Sequence, residues 1–204
     1  MPPLVALGMA WWFIRNQHLG GALLIIAGFD SFLRTGEMLS LTLGDFSIDD
    51  DYRGVIKLEH TKTGQRHAAF EASVIADPMV GKLFTLLKRT LAQDTHPDHY
   101  LFAGTQHAFY KLFKEGLKWL GVSEHGFQVY SVRRGGATSF FRKTRNMEAT
   151  LDRGRWSSAR VARIYVNDGL AKQVELNFDT AVKARLNTLA GALSIWLKQN
   201  GFGA

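Results

Sequence analysis

Two apolar runs dominate what this chain can fold into: Leu4–Ile14 and Gly20–Phe29, parted only by Arg15-Asn16-Gln17-His18. Each is shorter than the ~20 residues that span a bilayer. Each is also too uniformly apolar for a solvated surface helix, so both are expected as helices buried in a core. Met1-Pro2-Pro3 ahead of the first run suits a helix start and lacks the basic region of an export signal. The absence of cysteine excludes disulfides, thiolate chemistry and sulfur-ligated zinc, so packing must supply the stability. With 204 residues, 46% of them hydrophobic, the chain can bury one core, and a single domain over 1–204 is expected. The expected setting is intracellular and soluble, neither secreted nor in a membrane.

Beyond Phe29 the period of the pattern changes twice. The first helices are expected at about 4–15 and 19–33, with a short one at about 35–42. Short extended candidates follow at Asp45–Ile48, Val55–Glu59 and Arg66–Phe70, with Asp49-Asp50-Asp51 and Thr63-Gly64-Gln65 as turn material. Helical spacing resumes with Val80, Leu83, Phe84, Leu87 and Leu91, then with Phe109, Leu112, Phe113, Leu117 and Leu120. Further helices are expected at about 130–145, 147–154, 158–167 and 180–199. The fold class is therefore mainly α with one small antiparallel β-sheet, an α+β domain without repeats or linkers.

Charge is unevenly placed. Residues 111–168 hold 12 Lys/Arg against 5 Asp/Glu, an excess equal to the whole net charge of +7. Such a block suits a polyanion, because each phosphate contact needs a cation and releases counterions. The block ends in Leu151–Asn167, LDRGRWSSARVARIYVN, where four arginines, a tryptophan and a tyrosine crowd one short amphipathic segment.

Three other places share that chemistry. Phe32-Leu33-Arg34-Thr35-Gly36-Glu37-Met38-Leu39-Ser40-Leu41 sets an arginine at a helix junction with Glu37 spaced to pair with it one turn on. Thr61-Lys62-Thr63-Gly64 carries a lysine at a hairpin tip, and Tyr130-Ser131-Val132-Arg133-Arg134-Gly135-Gly136-Ala137-Thr138 carries paired arginines followed by paired glycines. Glycines inside a helix, each unfavourable by up to about 1 kcal/mol, imply close packing of a backbone.

In this order the four segments resemble the catalytic domain of the tyrosine recombinases, the phage-integrase family. The family pattern G-L-R-x-x-E-x-L-x-L is similar to Arg34–Leu41, with Phe32 in the glycine position. The H-x-x-R box is similar to Tyr130–Arg133, which favours Arg133 over Arg134 for the arginine slot. The pattern L-G-H-S-S-x₆-Y is similar to Gly154-Arg155-Trp156-Ser157-Ser158 and ends at Tyr165, nine residues after Trp156. The resemblance covers about 20–170 and leaves a helical tail at about 171–204.

It implies site-specific DNA recombination or integration, as on a mobile element, through breakage and rejoining of double-stranded DNA. No metal, ATP or other cofactor is implied. A phosphodiester resists attack, and fixed cations must favour the extra charge of its transition state. Arg34 and Arg133 fit that role, because guanidinium forks match phosphate oxygens two at a time. Tyr165 is implied as nucleophile, a phenol activated by neighbouring cations. Trp156 is implied as an indole N–H donor where many members carry histidine. Lys62 is implied as the general acid for the departing 5′ oxygen, and Glu37 as support for Arg34. Arg134, Arg142, Lys143, Arg145, Arg155 and Arg160 are the candidates for DNA phosphates.

Two departures shape these expectations. Tyr130 replaces the histidine, so that position can donate a hydrogen bond but does not exchange protons near neutrality. The family clamps DNA with a separate helical domain ahead of this one, and only about 20–30 residues precede the first box here. A catalytically impaired DNA-binding derivative and a type IB topoisomerase-like enzyme are the alternatives. The stripe Leu186, Leu189, Ala190, Leu193, Leu197 is expected either to reach a second copy, giving a homo-oligomer on DNA, or to pack at home.

Overall fold

The computed structural model describes residues 1–58 and 71–202. Helix α1 (Pro3–Arg15) has proline in its first turn and Arg15 in its last, where a cation favours the helix dipole. Helix α2 (Leu19–Asp30) is buried on every side from Gly20 to Gly28, as its unbroken apolar run requires. It ends at Asp30 rather than near 33, because Phe32 turns left-handed at φ +48°. Helix α3 (Thr35–Leu39) is a short turn that follows Arg34.

Three strands make one antiparallel sheet in the order β1 (Phe46–Ile48), β2 (Gly54–Leu58), β3 (Glu71–Ile75). Phe46 faces Ile56, and Leu58 faces Glu71. Alternation puts Ile56, Leu58, Ser73 and Ile75 on the buried side and Val55 and Val74 toward solvent. The strand expected at Arg66–Phe70 and the lysine Lys62 lie outside the described residues.

Helix α4 (Pro78–Thr90) starts where the Asp77 carboxylate accepts from the Met79 N–H at 2.9 Å. Helix α5 (Gln106–Leu120) buries Phe109, Phe113, Leu117 and Leu120, four members of the expected stripe. Then come α6 (Ser131–Thr144), α7 (Met147–Gly154), α8 (Ala159–Tyr165), α9 (Asp168–Asn177) and α10 (Thr180–Gln199). α9 is a helix that the periodicity does not announce. It buries no residue fully, so it has no apolar stripe to display.

α2 is the hub, packed by α1, α4 and α6. The glycine pair of α6 lets this happen: a β-carbon on Gly136 would meet the Phe29 carbonyl oxygen at 1.9 Å. α10 packs on α1 of the same chain with Leu186, Leu193 and Leu197 buried, and Trp196 meets Trp11 edge-on at 6.4 Å. Among the described residues, no helix is long and apolar enough to cross a membrane.

Candidate active site

α6 and α8, together with the turns after α2 and α7, converge on one guanidinium. Arg133, on α6, is 1% exposed. Its Nη1 donates to the Phe32 carbonyl and its Nη2 to the Gly154 carbonyl at 2.7 Å. The backbone at both junctions therefore pegs the fork. Two rings cover it: the guanidinium carbon stands 4.9 Å from the Trp156 ring centre and 5.2 Å from that of Tyr165. The two rings are 4.7 Å apart. Burial first, then the charges of Arg155 and Arg34, lower the Arg133 pKa to about 10, which leaves it cationic at neutral pH.

Both αL positions beside the site carry large residues where the family pattern has glycine. Phe32 sits at φ +48° and Arg155 at φ +53°. Phe32 stacks on Trp156 at 6.2 Å and meets Phe140 edge-on at 5.7 Å, so ring packing offsets the left-handed backbone.

Arg34 lies at the N-terminus of α3 with its side chain 35% exposed, the most open of the arginines around Glu37. Its backbone N–H donates to Glu37 Oε2 at 2.7 Å, and its Nη1 donates to Oε1. Glu37 also accepts from Arg155 Nη2 at 2.7 Å and lies 3.9 Å from Arg133 Nη1. Burial alone would raise the Glu37 pKa, but Arg155 and Arg34 together hold it below the ordinary glutamate range. One carboxylate thus knits three arginines into a cationic cluster.

Among the described residues, three buried donors of the cluster make no hydrogen bond, and one of them, Arg155 Nε, faces Glu71 at 3.6 Å. The other two, Arg133 Nε and Trp156 Nε1, are buried without a hydrogen-bond partner. A buried unpaired donor is unfavourable by about 1–3 kcal/mol, so two beside one cationic cluster fit an acceptor-rich ligand.

Tyr130 opens α6, 42% exposed, with its ring 5.7 Å from that of Tyr165. Desolvation, then a hydrogen bond with the Tyr165 side chain, push its pKa up to about 12. It is a neutral donor through the working range. Thr138 and Arg142, further along α6, grip the chain on either side of the turn after Tyr165. Thr138 Oγ1 donates to the Tyr165 carbonyl at 3.2 Å and accepts from the Asn167 N–H at 3.3 Å.

Of the cations expected on DNA, Arg142 donates to both the side chain and the carbonyl of Asp168 and, at 2.7 Å, to Glu175. Arg145 reaches the second Asp168 oxygen at 3.1 Å. These two are engaged by α9 rather than free. Lys143 and Arg160 are exposed on α6 and α8. Arg134 lines a cavity of about 340 Å³ together with Thr138, Lys143 and Tyr165. Arg155 is turned inward, 11% exposed. Thr138, Asp168 and Glu175 are site-shaping residues that sequence reasoning passes over. Thr138 stands in the same box as Arg133, and Asp168 stands three residues after Tyr165; those placements were the available signal.

The fold is that of the tyrosine recombinase catalytic domain. Three solved structures share it. The XerH site-specific recombinase in a pre-cleavage complex with its difH substrate superposes with a TM-score of 0.63 at 18% identity, over 96% of this chain and 54% of that one. The same recombinase in a post-cleavage complex with palindromic difH gives 0.61 at 17%, over 81% and 48%. The XerA recombinase gives 0.62 at 15%, over 85% and 61%. This chain thus spans about half to three fifths of the length of those proteins. No protein-family model matches the chain, and no curated protein matches it in sequence.

Proposed function

We propose that this chain breaks and rejoins double-stranded DNA through Tyr165. The phenol oxygen forms a bond to phosphorus as the bond to the 5′ oxygen breaks, leaving a 3′-phosphotyrosyl link that a free 5′ hydroxyl reverses. Because the phosphotyrosyl bond conserves the energy of the broken one, no ATP is needed. The phenol proton departs as the oxygen attacks, and the leaving oxygen gains one; by the family resemblance its donor is Lys62. Arg34, Arg133 and Trp156 hold the phosphate oxygens as charge builds. Tyr130 adds a neutral hydrogen bond.

The observation that carries this reading is the meeting of Arg133, Trp156 and Tyr165 within 5.2 Å of one another, with two buried N–H donors unused. Strand exchange between two sites calls for a homo-oligomer on DNA inside the cell, whereas a topoisomerase-like enzyme would relax DNA without pairing sites. A second reading, a DNA-binding derivative with impaired chemistry, draws on Tyr130, which cannot serve as imidazole does. A duplex nicked beside the target phosphate separates the two, because the released fragment diffuses away and traps the adduct. A band that survives denaturation and vanishes with protease supports strand transfer; binding without such a band on nicked, supercoiled or paired-site DNA supports the derivative.

A further inference from the structure

Arg155 stands at a place where its backbone is unfavourable. It caps the C-terminus of α7 in the left-handed region at φ +53°, a conformation that glycine adopts freely and a β-carbon resists. Nor is the side chain used as a surface cation, since only 11% of it is exposed. It bridges three elements instead. Nη2 donates to Glu37 on α3 at 2.7 Å, and Nη1 donates to the carbonyl of Ser31, just past α2, at 3.3 Å. Nε faces the carboxylate of Glu71, the first residue of β3, at 3.6 Å.

The consequence falls on Arg34. Glu37 is buried, and without Arg155 its close cationic partner would be Arg34, whose charge the carboxylate would then absorb. With Arg155 on the same carboxylate, Glu37 is shared between two guanidiniums and the cluster keeps a net positive charge. Neither Tyr130 nor Trp156 supplies a cation, so the charge from Arg155 counts. We propose that Arg155 is a positioning residue: it fixes Glu37, sets the placement of the Arg34 guanidinium, and leaves that guanidinium's charge available to a phosphate, without touching DNA itself.

This rests on the strand-transfer reading for its phosphate, but not for its link to Glu37. The test uses the full chain as wild type, Arg155→Gly and Arg155→Lys, with three readouts. The first is the Glu37 carboxyl titration by carbon-13 NMR. It should lie below the ordinary glutamate range in wild type and move upward in Arg155→Gly, where burial remains and a cation is lost. The second is the salt slope of duplex binding in an Arg34→Ala background, where adding Arg155→Gly should change nothing further; losing a separate phosphate contact of its own would reduce it by about 0.9. The third is the adduct rate at saturating nicked duplex, expected to fall at least tenfold in Arg155→Gly and to recover in part in Arg155→Lys. Should the glycine variant fail to fold, the lysine variant and Glu71→Gln carry the titration.

An unmoved Glu37 titration, or a further reduction of the salt slope in the Arg34→Ala background, overturns the inference. So does a normal adduct rate in Arg155→Gly. A wild type that forms no adduct defeats the strand-transfer reading instead, and the titration with the salt slope then decides the role of Arg155 alone.

Discussion

The guanidinium of Arg133 lies 5.2 Å from the centre of the Tyr165 ring, and the same guanidinium is pegged by two backbone carbonyls. The cation is therefore placed before any ligand arrives, and in the proposed reaction a phosphate drawn to it meets the phenol. Preorganised charge of this kind favours a transition state because nothing need reorganise as charge develops.

Arg133→Ala should lose covalent adduct by at least the 10²–10³ typical of removing one transition-state donor. It should also destabilise the fold, because the Phe32 and Gly154 carbonyls lose their buried donor; about 1–3 kcal/mol each is the usual scale. Arg34→Ala, at a half-exposed position, should lose adduct with a much smaller change in melting temperature. Thermal melts beside adduct assays check both.

Thr138→Val keeps the volume and removes both hydrogen bonds to the segment after α8. Amide exchange at Asn167 should accelerate and the adduct rate should fall, while Thr138→Ser restores both. Equal exchange in all three proteins would remove Thr138 from the positioning of Tyr165.

Arg142 and Arg145 are held by Asp168 and Glu175, so the acids compete with DNA for them. Asp168→Asn should raise duplex affinity and steepen the salt slope, whereas Lys143→Ala should flatten it by about 0.9 if that lysine meets one phosphate. Fluorescence anisotropy across a salt series reads both. No change in Asp168→Asn would mean that this face does not meet DNA.

Tyr130 ionises at about 12, above the ordinary phenol value. A folded pKa raised in this way contributes stability that is present below pH ~10, the unfolded value, and is lost as pH rises toward 12. Ultraviolet titration should show one tyrosine lagging the rest, and Tyr130→Phe should remove it. Tyr130→His should add an inflection near the ordinary histidine pKa of about 6.5 to the adduct rate, by installing a group that exchanges protons there.

How much of this was legible in the residues follows from what each kind of signal encodes. The boxes around Arg34, Arg133 and Tyr165 are readable as particular side chains at particular spacings, and the fold brings Arg133 to Tyr165 and Arg34 to Glu37. Helices with a buried face, such as α5, are readable from period. α9 is not, since it buries no residue fully and its Asp168 and Glu175 are engaged in ion pairs with Arg142. Counting charge over 111–168 locates the basic block but not which cations face acids, and so Arg142 and Arg145 read as DNA contacts when α9 already engages them. Phe32 and Arg155 fall at glycine positions of the family pattern. The left-handed backbone at both, and the turn of Arg155 onto Glu37, are seen only in the folded chain.

The most direct measurement compares wild type with Tyr165→Phe on the nicked duplex and maps the adduct by peptide sequencing. The substitution removes one oxygen, so stability should change by no more than about 1 kcal/mol and duplex binding should persist. The account predicts that wild type carries nucleotide through a 3′-phosphate on the peptide containing Ile164-Tyr165-Val166, and that Tyr165→Phe carries none. An adduct that forms undiminished in Tyr165→Phe, or that maps to Tyr130, would contradict it.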